Sequence, residues 1–159
     1  SLPKVIIPTF PGTNCEYDTA HAFTQAGAQA ETLIFRNLSS RHVEESLAEL
    51  AQHIKNSQIL MLPGGFSAGD EPDGSGKFIA TVLRNPMIAD AVMVLIQNRA
   101  GLILGICNGF QALIKTGLVP YGEIRAPKAG APTLTFSLQC EYPQRSSLRH
   151  AYYRPCSGE

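Results

Sequence analysis

Leu102-Ile103-Leu104-Gly105-Ile106-Cys107-Asn108-Gly109-Phe110-Gln111-Ala112-Leu113 decides how the rest of this chain is read. Residues 102–106 form a short apolar strand pattern, and a helical pattern begins at Asn108. Cys107 stands at the corner between them, with a glycine two residues away on either side. A strand that turns straight into a helix through Gly-x-Nuc-x-Gly presents a nucleophile above a parallel sheet. Cβ atoms at Gly105 and Gly109 would collide with neighbouring backbone in so tight a turn. The helix that follows aims its N-terminus at the sulfur, which favours the nucleophilic thiolate. A cysteine in an apolar segment is ordinarily a small buried hydrophobe, but such a residue needs neither paired glycines nor a strand-to-helix corner. Cys107 is therefore the candidate nucleophile. Cys15, Cys140 and Cys156 lack such flanks and are read as structural.

Outward from the corner, strand-like apolar runs alternate with helical patterns, the signature of a parallel sheet covered on both faces. Strands are expected at 4–8, 31–35, 58–62 and 102–106. The first helix is expected at 13–27, opened by a capping box of Thr13 with Glu16. The second is expected at 40–56, where Val43, Leu47, Leu50 and Ile54 share one face. Residues 77–83 and 86–98 read as two helical pieces parted at Asn85-Pro86. The helix of the corner runs over 108–116 and is closed by Gly117. Past Pro120 the pattern weakens, and 133–138 is the one further strand expected. The tail mixes Arg145, Arg149 and Arg154 with Tyr142, Tyr152 and Tyr153. Basic residues among aromatics can mark RNA contact, but three arginines there read as solvated. The fold class is thus α/β, a three-layer open and mostly parallel sheet with helices on both faces.

The 159 residues suffice for one domain with its own core. Thirteen basic and thirteen acidic side chains cancel, so no global field favours nucleic acid or an anionic membrane surface. The apolar runs at 5–7, 59–62 and 92–96 are too short to cross a bilayer, and no secretory signal pattern opens the chain. The four cysteines form no Cys-x-x-Cys pair, so there is no zinc signature and no metal site is expected. A reduced, cytoplasmic setting is the expectation.

Pro63-Gly64-Gly65-Phe66-Ser67-Ala68-Gly69-Asp70 follows the third expected strand. Alone, it reads equally well as an ordinary Pro-Gly turn. Paired glycines at a strand's carboxyl end also let backbone N–H groups turn inward, where acyl transfer needs donors for the developing oxyanion. Carboxyl ends of neighbouring parallel strands converge on one crevice. The Gly64-Gly65 turn should therefore lie beside Cys107, with N–H groups near Gly65 and of Asn108 forming an oxyanion hole. Gly74-Ser75-Gly76-Lys77 is not a phosphate loop, because Glu71 and Phe78 stand where that motif needs glycine and Ser or Thr. Asp70, Glu71 and Asp73 fall short of a calcium loop and read as solvated. A thiolate nucleophile also needs an acid–base partner. His21, His42 and His53 fall on helices away from the carboxyl ends and His150 in the tail, so none is assigned that role.

The Pro-Gly-Gly-Phe-Ser-Ala-Gly-Asp run with Gly105-Ile-Cys-Asn-Gly-Phe-Gln111 resembles the class I (triad) glutamine amidotransferase family, whose fold is flavodoxin-like. Within that family the two runs look like the glutaminase domain of the phosphoribosylformylglycinamidine synthase branch. Pro11-Gly-Thr-Asn-Cys-Glu16 and Asp70-Glu-Pro-Asp-Gly-Ser-Gly-Lys77 strengthen the match and look most like the version fused to the C-terminus of a long synthetase polypeptide. The resemblance covers about 4–136. It implies that Cys107 attacks the amide of L-glutamine, releasing ammonia and leaving a thioester that water hydrolyses. It further implies that the N–H groups at Gly65, Phe66 and Asn108 hold the oxyanion, and that Gln111 and Gly64 help hold the substrate. Ammonia would pass to a synthetase domain or subunit that uses ATP and Mg to make formylglycinamidine ribonucleotide in purine biosynthesis. No cofactor is implied for the glutaminase itself.

The family carries its histidine and glutamate in a downstream His-x-Glu-Gly segment, and no such segment occurs in this sequence. The expected organisation is an amidotransferase-like part at 1–136 and an unmatched tail at 137–159, incomplete at the C-terminus and inactive alone. Uncovered sheet edges should then favour association with itself or a partner. Two other readings compete. One is a cysteine-elbow chaperone or deglycase, in which an acid near Glu16 assists the cysteine, and the other is a catalytically dead interaction module.

Overall fold

A computed structural model of the chain describes residues 2–65 and 76–131, together with short strands at Thr133–Thr135 and Tyr152–Arg154. In order, the elements are β1 (Lys4–Thr9), α1 (Glu16–Gln25), β2 (Gln29–Ile34), α2 (Ser40–Asn56), β3 (Ile59–Leu62), α3 (Lys77–Arg84) and α4 (Pro86–Met93). A π-helical turn (Val94–Asn98), β4 (Leu102–Gly105), α5 (Asn108–Thr116) and α6 (Leu118–Tyr121) follow, then β5 (Thr133–Thr135) and β6 (Tyr152–Arg154).

The four main strands form one parallel sheet in the order β2-β1-β3-β4. Val5, Ile6 and Ile7 of β1 are all fully buried, as a central strand covered on both faces requires. Side chains alternate between faces. Ile6, Leu33, Leu60 and Leu62 face a large core built from α2 to α5, while Val5, Ile7 and Met61 face a smaller one with Ala20 and Phe23 of α1. The chain goes from β1 outward to β2 and then returns to the far side of β1 at β3. That reversal opens a crevice at the carboxyl ends of the strands, the usual ligand position in such sheets.

Local signals explain most boundaries. Ser39 caps α2 by accepting from the His42 N–H, and Asn85 caps α4 by accepting from the Met87 N–H with Pro86 in the first turn. The break at Asn85 bends the path of α3 and α4 by 81°, and Ile79, Leu83, Ile88 and Val92 fill the core on either side of it. Among the described residues no single helix is long and apolar enough to cross a membrane.

One expectation is corrected. The capping box at Thr13 does not form, and α1 starts at Glu16 behind a Cys15 whose φ is 72° and which makes no side-chain cap. The Thr13 hydroxyl instead closes a turn on Phe10, accepting from its N–H at 2.9 Å and donating to its carbonyl at 2.8 Å. A tertiary contact, described below, takes precedence over helix capping at this position. The tail also pairs further than its pattern suggests, since β6 lies antiparallel to β5 with Thr133 opposite Arg154. Three-residue strands are too short to show a period. The rest of the strand expected at 133–138 lies outside the described residues.

The two faces of the sheet are covered unequally. On the α1 side, β4 leaves Leu102, Leu104 and the adjoining Ile106 exposed by 65%, 45% and 51%. β4 is also an edge of the four-stranded sheet.

Candidate active site

β3 and β4 run side by side in register, with Ile59 opposite Leu102 and Leu62 opposite Gly105. Their carboxyl ends therefore stop together, and the Ile106 N–H still donates to the Leu62 carbonyl at 3.1 Å. The chain then turns at Cys107 with φ 54° and ψ −111°. That backbone is strained for a residue with a Cβ, at a cost on the order of 1–3 kcal/mol, and is held only where the surroundings over-determine it. Here α5 closes at once behind it. The Gly109 N–H donates to the Ile106 carbonyl at 3.0 Å and the Gln111 N–H to the Cys107 carbonyl at 2.9 Å.

The flanking glycines are demanded by contact. A Cβ on Gly109 would sit 2.1 Å from the Leu62 carbonyl oxygen, and one on Gly105 would sit 2.7 Å from the Gly109 carbonyl. Backbone thus lies directly on backbone where α5 crosses β3, and Cys107 is lifted to the surface with its thiol exposed.

The Gly64-Gly65 turn lies against this elbow as expected. A Cβ on Gly64 would come 3.0 Å from the Cys107 Cβ. Asn108, only 4% exposed, donates from Nδ2 to the Gly65 carbonyl and so ties the first residue of α5 to the turn. Its Oδ1 lies 3.9 Å from the Cys107 Sγ. Gly76 returns the chain to the same place, since a Cβ there would meet the Asn108 carbonyl at 2.9 Å and the Gln111 Cβ at 3.3 Å. Gly64, Gly65, Cys107, Asn108 and Gln111 are therefore gathered at one point. Phe66 and the acidic positions Asp70, Glu71 and Asp73 lie outside the described residues.

The loop after β1 joins this cluster, which sequence reasoning missed. Thr13 bridges antiparallel to Gly65, and the Asn14 N–H donates to the Gly64 carbonyl at 3.2 Å. Gly65 has φ 151°, and a Cβ on it would overlap Thr13, Gly12 and Asn14 within 2.5–2.7 Å. The Phe10, Phe35 and Phe78 rings, with centroids 5.6–5.9 Å apart, pin the root of this loop to β2 and α3. The signal for it was present as Pro11-Gly12 directly after a strand, a turn signature that outweighs a capping box.

No hydrogen bond ties a described histidine to Cys107. His21 meets Gln25 at 2.9 Å on α1, His53 meets Glu31 at 3.3 Å, and His42, in the first turn of α2, buries its Nδ1 without a hydrogen-bond partner among the described residues. No hydrogen bond joins Glu16 to Cys107 among the described residues, and one oxygen of its carboxylate is buried without a partner there. Among the described residues no group of three or more His, Cys, Asp or Glu side chains could hold a metal ion.

A family model for the CobB/CobQ-like glutamine amidotransferase domain matches residues 2–151. The chain belongs to this family. A protein of Methanococcus maripaludis named phosphoribosylformylglycinamidine synthase subunit PurQ is 38% identical over 127 residues, covering 77% of this chain and 42% of the relative. The same-named protein of Dehalococcoides mccartyi is 38% identical over 120 residues, covering 76% and 42%. That of Archaeoglobus fulgidus is 33% identical over 135 residues, covering 85% and 48%. The chain thus spans less than half the length of these curated relatives. A solved structure described as PurLQS from Thermotoga maritima is 27% identical, with a TM-score of 0.49, over 86% of this chain and 54% of that one.

The contact between α5 and β3 carries a direct test. Gly109→Ala should destabilise the chain by at least about 3 kcal/mol, since the clashing atom is backbone and cannot step aside. Gly27→Ala has open space around it but a φ of 86°, and should cost about 1 kcal/mol. Urea unfolding of both variants measures this, and equal costs would refute the proposed close approach.

Proposed function

We propose that this chain carries the nucleophile half of a glutaminase site serving formylglycinamidine ribonucleotide synthesis in purine biosynthesis. The observation that carries the reading is a strained, solvent-open Cys107 pressed against a Gly64-Gly65 turn, in a chain of glutamine amidotransferase descent. Thiolate attack on the side-chain amide of L-glutamine would place negative charge on the amide oxygen. The N–H groups of Asn108 and around Gly65 and Phe66 are the donors nearest such an oxyanion. Gln111, one helical turn past the nucleophile, and Gly64 would contact the bound glutamine. Once its nitrogen has taken up a proton, the tetrahedral adduct collapses, expelling ammonia and leaving a γ-glutamyl thioester, which water hydrolyses to glutamate and the free Cys107 thiol.

Ammonia would then pass to a synthetase domain or subunit, where ATP and Mg do their work; the glutaminase half itself needs no cofactor. A cytoplasmic setting is part of the same proposal. The sequence offers no His-x-Glu-Gly segment to protonate the departing ammonia, so this chain by itself should turn over poorly. The deglycase alternative depends on Glu16, which makes no hydrogen bond to Cys107. The exposed apolar side of β4 and its edge position among the described strands favour self-association.

Two measurements check this. A diazo-ketone analogue of glutamine should alkylate Cys107, the thiolate displacing dinitrogen from the diazo carbon after that carbon takes up a proton, with steady ammonia release from glutamine near background. Peptide mass spectrometry that finds the label on Cys15 instead, or sustained ammonia release by this chain, would contradict the reading. In sedimentation velocity, Leu104→Glu should shift the chain toward monomer, and an unchanged distribution would exclude β4 as the contact.

A further inference from the structure

Lys77, Ala80, Thr81 and Arg84 recur at the spacing that places side chains on one face of a helix, and that face of α3 is the wall of a cavity. Lys115 of α5 lines the same cavity, and Pro127, Lys128 and Ala131 of the loop after α6 close its other side. Its volume is about 350 Å³, within the range of small-molecule sites. Four of the eight lining residues are cationic, and none carries a carboxylate.

Several features make this more than a scatter of surface lysines. Arg84 is half-buried, and its Nη2 donates to the Lys115 carbonyl oxygen, so the guanidinium is held across the α3–α5 junction. No carboxylate pairs with Arg84 among the described residues, and its Nε–H is buried without an acceptor there. Lys128 is exposed and lines the cavity from a turn closed by the Ala131 N–H on the Lys128 carbonyl at 3.1 Å. Lys77 and Lys115 also engage in other interactions, so the net charge of the cavity is set first by Arg84 and Lys128. Converging cations repel one another, and a partly desolvated guanidinium is stabilised most by a planar oxyanion that it can meet with two N–H groups. The remaining wall, Ala80, Pro127 and Ala131, is apolar and suits a small organic body.

We propose that the cavity between α3, α5 and the 127–131 loop binds the phosphate group of a small phosphate monoester. Lys115 lies two turns beyond Cys107 along α5, about 12 Å away at the rise of an α-helix. The site is therefore separate from the nucleophile, and it stands whether or not the glutaminase reading holds.

Titrating the chain with inorganic phosphate, ribose 5-phosphate and ribose, with sodium chloride matched to constant ionic strength, tests this by calorimetry and by thermal unfolding. Saturable binding of at least one phosphate compound is expected, with no effect of ribose. Lys128→Glu should weaken it at least tenfold, and Arg84→Lys, which keeps the charge but loses the fork, at least threefold, both with unchanged circular dichroism. Tighter binding of the ester than of inorganic phosphate would assign a phosphorylated metabolite, and equal binding would assign the free anion. A phosphate response no greater than that of sodium chloride, or one that Lys128→Glu leaves unchanged, would overturn the proposal. Should Arg84→Lys alter the circular dichroism, Lys128→Glu alone decides.

Discussion

The close approach of α5 to the backbone of β3 at Gly109 is the constraint from which the site follows. Where no side chain intervenes, the helix axis can descend until Gly109 nearly touches the Leu62 carbonyl. The connection from β4 is then too short for relaxed backbone, and the residue at the corner is forced to positive φ. That residue is Cys107. The same descent brings Asn108 within reach of the Gly65 carbonyl and sets Gly64 against the cysteine. A methyl group at Gly109 would raise the helix, relax the corner and separate Cys107 from its neighbouring turn.

Much of this was legible in the chain itself. The spacing Gly-x-Cys-x-Gly between an apolar run and a helical pattern has few other physical explanations, and the convergence of strand carboxyl ends put the Gly64-Gly65 turn beside Cys107, where the structure has it. The long amphipathic pattern of α2, bounded by Ser39 and Asn56, was equally plain. What the pattern concealed was long-range. Thr13 and Glu16 satisfy a local capping rule, yet Thr13 is drawn into a bridge with Gly65, some fifty positions away, and α1 starts later. Local periodicity cannot weigh a tertiary contact against a cap. The pairing of β5 with β6 escaped for a related reason, since strands of three residues have no readable period.

The loop after β1 changes the picture of the site from two segments to three. Gly12, Thr13 and Asn14 pack so tightly on Gly65 that no other residue fits there. The turn beside Cys107 is therefore clamped from two sides, by Asn14 on Gly64 and by Asn108 on Gly65. Donors for an oxyanion are effective when fixed before the charge develops, and in the proposed glutaminase site this double clamp would supply that fixity. The uncovered side of β4, in contrast, marks where the described fold has apolar surface left to bury.

The central claim is that this clamped elbow receives L-glutamine. Site-resolved alkylation by iodoacetamide, followed at Cys107 and Cys15 with and without L-glutamine, tests it most directly, because both thiols are exposed and each serves as the other's control. Binding at the elbow predicts that L-glutamine slows alkylation of Cys107 while Cys15 reacts at an unchanged rate, and that D-glutamine protects neither. Equal rates at Cys107 with and without L-glutamine would contradict it.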